Sequence, residues 1–217
     1  MGKDVFLSVG ATANSTQEDF VQAIEARLRV EGLTPNTVGR NTFSVDSPLT
    51  AVAQLMDRCV GTVVIALERS YFPSGAEKRG GTNETTLAET KLATPWNQIE
   101  AAMAYNRGLP LLVVVEKGLR LEGLLEPGYD WYVQSVPLDT SYLTSDEFNG
   151  ILASWKGKIE KSKSQQAVEN KTGHAEVEKM TIGQLVSAVK PAHLWSLLIS
   201  SAAVIVGAFS VGARFFH

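Results

Sequence analysis

Two kinds of apolar pattern take turns along this chain. Short, nearly continuous runs read as strands buried on both faces, and longer runs with apolar residues three and four apart read as amphipathic helices. The first strand is Asp4 to Val9, followed by a loop of small residues from Gly10 to Asn14. Ser15-Thr16-Gln17-Glu18 resembles a capping box and opens a helix with Phe20, Val21, Ala23, Ile24 and Leu28 inward, ending at Glu31-Gly32. Leu33 to Val38 is a weaker strand, and Pro35 assigns it to a sheet edge. The polar loop Gly39 to Asp46 carries one exposed aromatic, Phe43. Ser47-Pro48 starts a second helix with Leu49, Val52, Leu55 and Met56 inward, and Gly61 to Leu67 is the clearest strand of the chain.

From Glu68 to Ala93 no period is visible: Pro73, Gly75, Gly80-Gly81 and mixed charges read as one long loop, a length usually functional or disordered. Thr94 is the expected N-cap and Pro95 the first-turn residue of a third helix, with Ile99, Ala102 and Met103 as its apolar face and Arg107-Gly108 as its end. Leu109 to Val115 is the fourth strand, Glu116 to Pro127 a loop holding a short helix, and Trp131 to Val136 the fifth strand. A last amphipathic helix starts near Ser145 and carries Phe148, Ile151, Leu152, Trp155 and Ile159. This alternation predicts an α/β fold, a five-stranded parallel flavodoxin-like sheet with helices on both faces. In such sheets ligands bind beyond the carboxyl ends of the strands. Here that edge is made by Gly10 to Asn14, Gly39 to Asp46, Glu68 to Thr94 and the loop after Val115.

The pattern changes after Lys161. Ser162 to Lys179 is polar almost throughout and reads as a solvated linker, and Thr181 to Val186 as a short helix at a membrane surface. Leu194 to Ala213 holds no charged residue over about 20 positions, the length that spans a hydrocarbon core. The expected organisation is therefore an α/β domain at 1–163, a polar linker with a short juxtamembrane helix at 164–190, and a transmembrane helix with a short tail at 191–217. Trp195 and Phe215-Phe216 sit where an aromatic belt would. Lysines precede the span and only Arg214 and His217 follow it, so the positive-inside rule predicts a single pass, membrane contact through 191–216, and a cytosolic N-terminal domain.

Composition adds little beyond exclusions. A formal charge of −3 over 217 residues gives no basic footprint, so nucleic acid is not the expected partner. The single cysteine, Cys59, rules out an intramolecular disulfide and, lying in an apolar run, reads as core packing. There is neither a His/Cys cluster nor a Gly-x-Gly-x-x-Gly pattern, so no metal and no resident cofactor are expected. The one constellation with chemistry is Trp96 and Glu100, four apart on one helical face at the end of a loop.

These residues resemble a family. Asp4-Val5-Phe6-Leu7-Ser8 resembles the opening strand of Toll/interleukin-1 receptor (TIR) domains. Ala51 to Leu67, followed by Ser70-Tyr71-Phe72, resembles their second helix, third strand and next loop, and Trp96-x-x-x-Glu100 their Trp-Cys-x-x-Glu helix signature. Asn97 replaces the usual Cys, and an insertion of about 20 residues precedes the motif. Glu100 to Pro110, with Ala104 and Gly108, is also similar to the catalytic helix and strand entry of nucleoside 2-deoxyribosyltransferases. Both families act at an N-glycosidic bond, and the TIR resemblance implies cleavage of NAD or a related nucleotide. It also implies self-association and service in a prokaryotic anti-phage or cell-death system.

On that reading Glu100 is the catalytic carboxylate, stabilising oxocarbenium character on a ribose or holding its 2′-hydroxyl. Trp96 or Phe43 would stack on a base, and Arg40 or Arg69 would meet a pyrophosphate. Backbone N–H groups at Gly10 and Ala11 would approach a phosphate, and Tyr71 would belong to the ligand-binding loop. The nucleotide is expected as substrate or ligand. A non-catalytic alternative has the domain sense a nucleotide and assemble the tail helices into a membrane-disrupting oligomer.

Overall fold

The computed structural model describes residues 2–128 and 130–179, with side chains at 2–128, 130–162 and 164. In chain order the elements are β1 (Lys3–Val9), α1 (Ser15–Val30), β2 (Leu33–Asn36), α2 (Pro48–Asp57), β3 (Thr62–Ala66), β4 (Ser70–Glu77), β5 (Thr85–Leu92), α3 (Pro95–Asn106), β6 (Leu111–Glu116), β7 (Tyr132–Val136) and α4 (Asp146–Lys179). Five of the strands form one sheet in the order β2-β1-β3-β6-β7, with every pairing parallel. The expected five-stranded parallel α/β arrangement is the one observed, and the Pro35 strand is an edge strand.

Pleating sorts the core into two halves. Val5, Leu7, Val63, Ile65, Leu112 and Val114 pack with α1 and α4, through Phe20, Ile24, Leu152 and Trp155 among others. Their neighbours Phe6, Val64, Ala66, Val113 and Val115 pack with α2 and α3, through Val52, Leu55, Ala101 and Ala104. Both faces of every central strand are therefore dry, which is why these strands read as continuous apolar runs. Cys59 lies in the second half-core, and burial pushes its thiol up to about 12, as suits a packing residue.

Four local expectations are corrected. The loop expected over Glu68 to Ala93 is an antiparallel hairpin, β4 against β5, in register from Ser70 with Leu92 to Glu77 with Thr85. Most of its residues are exposed, ten of sixteen and on both sides of β4, so no apolar alternation marks it. Its turn uses positive φ at Lys78 (53°) and Gly80 (77°). Arg120 ties it to the domain through Glu77 at 2.7 Å and through a backbone bond from its own N–H to the Lys91 carbonyl at 2.9 Å.

The cap of α1 sits one residue earlier than expected. Asn14 Oδ1 accepts from the Gln17 N–H (2.9 Å), while Gln17 Oε1 reaches back to the Ala13 N–H (2.7 Å). On α2, Leu49 is half exposed and Ala51 takes its inward place beside Val52, Leu55 and Met56. On α3 the buried positions are Asn97, Ala101 and Ala104, whereas Ile99 is 40% exposed and Ala102 faces solvent. Small residues let α3 lie close on the sheet, and its larger apolar side chains flank that contact, so periodicity of bulk pointed to the wrong face.

The chain divides into two units, Met1–Ser164 and Gln165–His217. The polar stretch from Ser162 is helical as far as Lys179, in keeping with its Gln, Ala, Glu and Lys content. Among the described residues no helix is long and apolar enough to cross a membrane. The juxtamembrane helix expected at Thr181 to Val186 and the span expected at 191–216 lie outside the described residues.

Candidate active site

The chain leaves β1 for β2 on one side of the sheet and later enters β3 on the other, so the carboxyl ends of β1 and β3 diverge into a crevice. A cleft of about 280 Å³ opens there. Its walls come from the β1 end (Val9, Gly10, Ala11), from Val38, from the start of α2 (Pro48, Val52), from Arg69 after β3, and from the start of α3 (Thr94, Trp96, Glu100).

Local chemistry sets the α3 wall. Thr94 caps the helix, its hydroxyl accepting from the Trp96 N–H at 3.4 Å, and Pro95 occupies the first turn. Gly10 faces this cap: a Cβ there would stand 3.0 Å from Thr94 Cγ2, so the absent side chain lets β1's loop and α3 meet. Asn97, 1% exposed, points into the sheet. Its Nδ2 donates to Ser8 Oγ at 3.0 Å and lies 3.4 Å from the carbonyls of Ser8 and Ile65. One helical turn beyond Trp96, Glu100 reaches the cleft. Burial pushes its carboxyl up to about 7, against a hydrogen bond from Ser8 that favours the ionised form.

On the facing wall, Arg69 is fixed by its backbone, whose N–H donates to the Leu92 carbonyl at 2.8 Å. Its guanidinium makes no ion pair or hydrogen bond among the described residues. The preceding residue is pinned more firmly. Glu116 Oε2 accepts from the Glu68 N–H (2.7 Å), the buried Gln17 donates to the Glu68 carbonyl (3.1 Å), and Lys91 pairs with the Glu68 carboxylate (2.7 Å).

Of the residues expected at a site, the structure brings Gly10, Ala11, Arg69, Trp96 and Glu100 together around one cleft. Three others stand elsewhere. Arg40 is engaged by Glu18 (2.6 and 3.0 Å) and Glu25 (2.7 Å), joining the loop after β2 to α1. This pairing holds the Glu18 carboxyl down at about 2. Phe43 is 78% exposed and does not line the cleft. Tyr71 lies on the hairpin, hydrogen-bonded to Glu89. Ser8, Thr94 and Asn97 were not identified as site residues from the sequence. The available signal was a serine among apolar residues at the end of β1, and an amide where α3 meets the sheet.

No family model matches the sequence, and comparison with curated proteins gives no match. Among solved structures, the chain is similar to a CMP N-glycosidase from Clostridium botulinum, BcmB, at 14% identity over 54% of this chain and 71% of that one, with a TM-score of 0.34. It is also similar to the TIR domains of the activated Roq1 resistosome that directly recognizes the pathogen effector XopQ, at 15% identity over 54% of this chain and 58% of that one, with a TM-score of 0.33. Both likenesses are weak, and no residue role is taken from either.

Proposed function

We propose that this domain cleaves the N-glycosidic bond of a nucleotide, NAD or a relative, with Glu100 as the catalytic carboxylate. The observation that carries the reading is a half-buried carboxyl in a cleft at the sheet's switch point, walled by Trp96 and by Arg69, whose guanidinium has no ion pair among the described residues; burial pushes that carboxyl up toward neutrality. In the reaction the C1′–N bond breaks with its electron pair leaving on the base nitrogen, and water adds at C1′. The ionised carboxylate stabilises positive charge on the ribose and then accepts the proton that the attacking water releases, a task suited to a group titrating near neutrality. Trp96 stacks on the base, and Arg69 with the backbone of Gly10 and Ala11 receives phosphate.

The same proposal has the domain self-associate and sit in the cytosol, tethered through 191–216, as an effector of a prokaryotic defence or cell-death system. Phe43 (78% exposed) and Val45 (105%), in the segment between the cleft-lining Val38 and Pro48, and Leu49 (50%) at the start of α2 are exposed apolar residues that support the self-association. The test is incubation of the full chain with NAD at rising protein concentration, with Glu100→Gln alongside. Nicotinamide release that depends on Glu100 is expected, and its absence under every clustering condition overturns the enzyme reading.

The uncharged run Leu194 to Ala213 favours a second reading, in which the cleft senses a nucleotide and the tail assembles into a membrane-disrupting oligomer. Replacing 191–217 by a neutral anchor separates the two. Toxicity retained with NAD consumed supports the enzyme, and toxicity lost with NAD unchanged supports the oligomer.

A further inference from the structure

We infer that the cleft takes a nucleoside 5′-monophosphate, with one base, one ribose and one phosphate, in preference to a dinucleotide such as NAD. The inference rests on the proposed reading of the cleft as a nucleotide site and narrows its substrate class.

Size and lining agree. The cleft encloses about 280 Å³, just under the roughly 300–1,000 Å³ of sites that bury most of a drug-sized ligand. A dinucleotide is two nucleotides joined through their phosphates, so a cleft at this lower limit leaves its second half on the surface outside. Of the described residues that line the cleft, Arg69 is the one cation and Trp96 the one aromatic. The Arg69 guanidinium has no ion pair or hydrogen bond among the described residues, so its whole donor fork is open to one phosphate. Trp96 supplies one stacking face, enough for one base.

A second phosphate and a second base would need a second set of partners, and the groups nearby are already engaged. Arg40 spends its guanidinium on Glu18 (2.6 and 3.0 Å) and Glu25 (2.7 Å). Lys91 is paired at 2.7 Å with the carboxylate of Glu68, the residue before Arg69. A phosphate brought to either cation must displace a carboxylate. Past Gly10 and Ala11 the backbone also turns inward, for the Ala13 N–H donates to Gln17 Oε1 at 2.7 Å. The aromatic residues Phe43 and Tyr71 do not line the cleft, and Tyr71 is hydrogen-bonded to Glu89 on the hairpin.

The test is equilibrium binding to the full chain carrying Glu100→Gln, so that no bound ligand is consumed. The probes are nicotinamide mononucleotide and the four common ribonucleoside 5′-monophosphates, each beside its own nucleoside, together with NAD. At least one monophosphate is expected to bind about tenfold or more tightly than its nucleoside, and NAD no more tightly than nicotinamide mononucleotide. Adding Arg69→Ala should remove the monophosphate's advantage and leave the nucleoside's affinity unchanged. Tighter binding of NAD than of nicotinamide mononucleotide, no monophosphate favoured over its nucleoside, or an advantage that survives Arg69→Ala overturns the inference. Turnover is read separately in the parent chain. Monophosphate binding without release of its base removes the proposed reaction and leaves the ligand class standing, whereas nicotinamide released from NAD but no base from any monophosphate does the reverse.

Discussion

Replacing Glu100 by Gln should stabilise the protein, and do so more as pH rises. The folded-state carboxyl titrates at about 7, above its ordinary value of 4.5 in an unfolded chain. A group whose pKa is raised on folding stabilises the fold fully only below its unfolded pKa, and that stability is lost as pH climbs through the folded value. Between about pH 4.5 and pH 8 the parent must either keep the proton that the unfolded state has released or carry a charge in a poorly hydrated cleft. A displacement of about 2.5 pH units corresponds to about 3 kcal/mol, most of it already lost by pH 7. Gln has the same shape and carries no charge at any pH. Urea unfolding of the two chains at a series of pH values measures this directly. The expected difference, Gln minus Glu, starts from a constant offset near pH 4.5 and grows by about 3 kcal/mol by pH 8. Glu18, Glu31, Glu77 and Asp139, all lowered by donors, contribute acid-side losses that are common to both chains and cancel. A difference flat to within about 0.5 kcal/mol would show that Glu100 is an ordinary solvated carboxylate, and the cleft chemistry built on it would fall.

Gly61→Ala places a Cβ 2.9 Å from both Trp155 Cζ2 and Ile159 Cδ1, so α4 must shift. A loss of about 1–3 kcal/mol in urea unfolding is expected, with Trp155 fluorescence reporting the displaced helix. Gly10→Ala meets only the Thr94 side chain, at 3.0 Å from Cγ2 and 3.6 Å from Cβ, and costs under about 1 kcal/mol of stability. Because Thr94 starts the helix that carries Glu100, the proposed glycosidic cleavage should still fall by about tenfold or more, measured as product release. Arg40→Ala leaves the Glu25 carboxylate, 10% exposed, with Arg29 as its remaining partner, leaves Glu18 without its cation, and frees the loop after β2 from α1. Its expected cost is about 1–3 kcal/mol, with hydrogen exchange rising across 37–46 and the cleft's own titration unchanged.

The sheet was legible because both of its faces are covered: a strand dry on two sides cannot hide its apolar run, and Thr62–Ala66 and Leu111–Glu116 are read from composition alone. The hairpin was illegible for the opposite reason. With solvent on both sides, Thr85–Leu92 carries Thr, Glu and Lys where a half-buried strand would alternate. Glu100 and Trp96 were found because a four-residue spacing states a shared helical face without any tertiary knowledge. Ser8 and Asn97 were not, since their meaning lies in a contact between positions 89 apart in the chain. Arg40 shows the converse. Its charge and its loop suited a phosphate, and only the fold shows that Glu18 and Glu25 already satisfy it.

That contrast bears on how Glu100 should be interpreted. Where this chain needs a charge for structure, it supplies the partner: Arg40 with Glu18 and Glu25, Lys91 with Glu68, Arg120 with Glu77, Lys156 with Glu31. In the cleft it does not. Glu100 and Arg69 line the same 280 Å³ without pairing with each other, and among the described residues neither side chain has an ion-pair partner. A paired carboxylate would titrate low and hold no proton at neutral pH, which would suit stability and forbid acid–base work. Keeping the cation and the carboxylate apart leaves each with unmet demand of opposite sign. A ligand that carries anionic phosphate at one end and develops positive charge at the other meets both demands at once. A nucleotide breaking at its glycosidic bond has that distribution, whereas a neutral sugar or a free base has neither end.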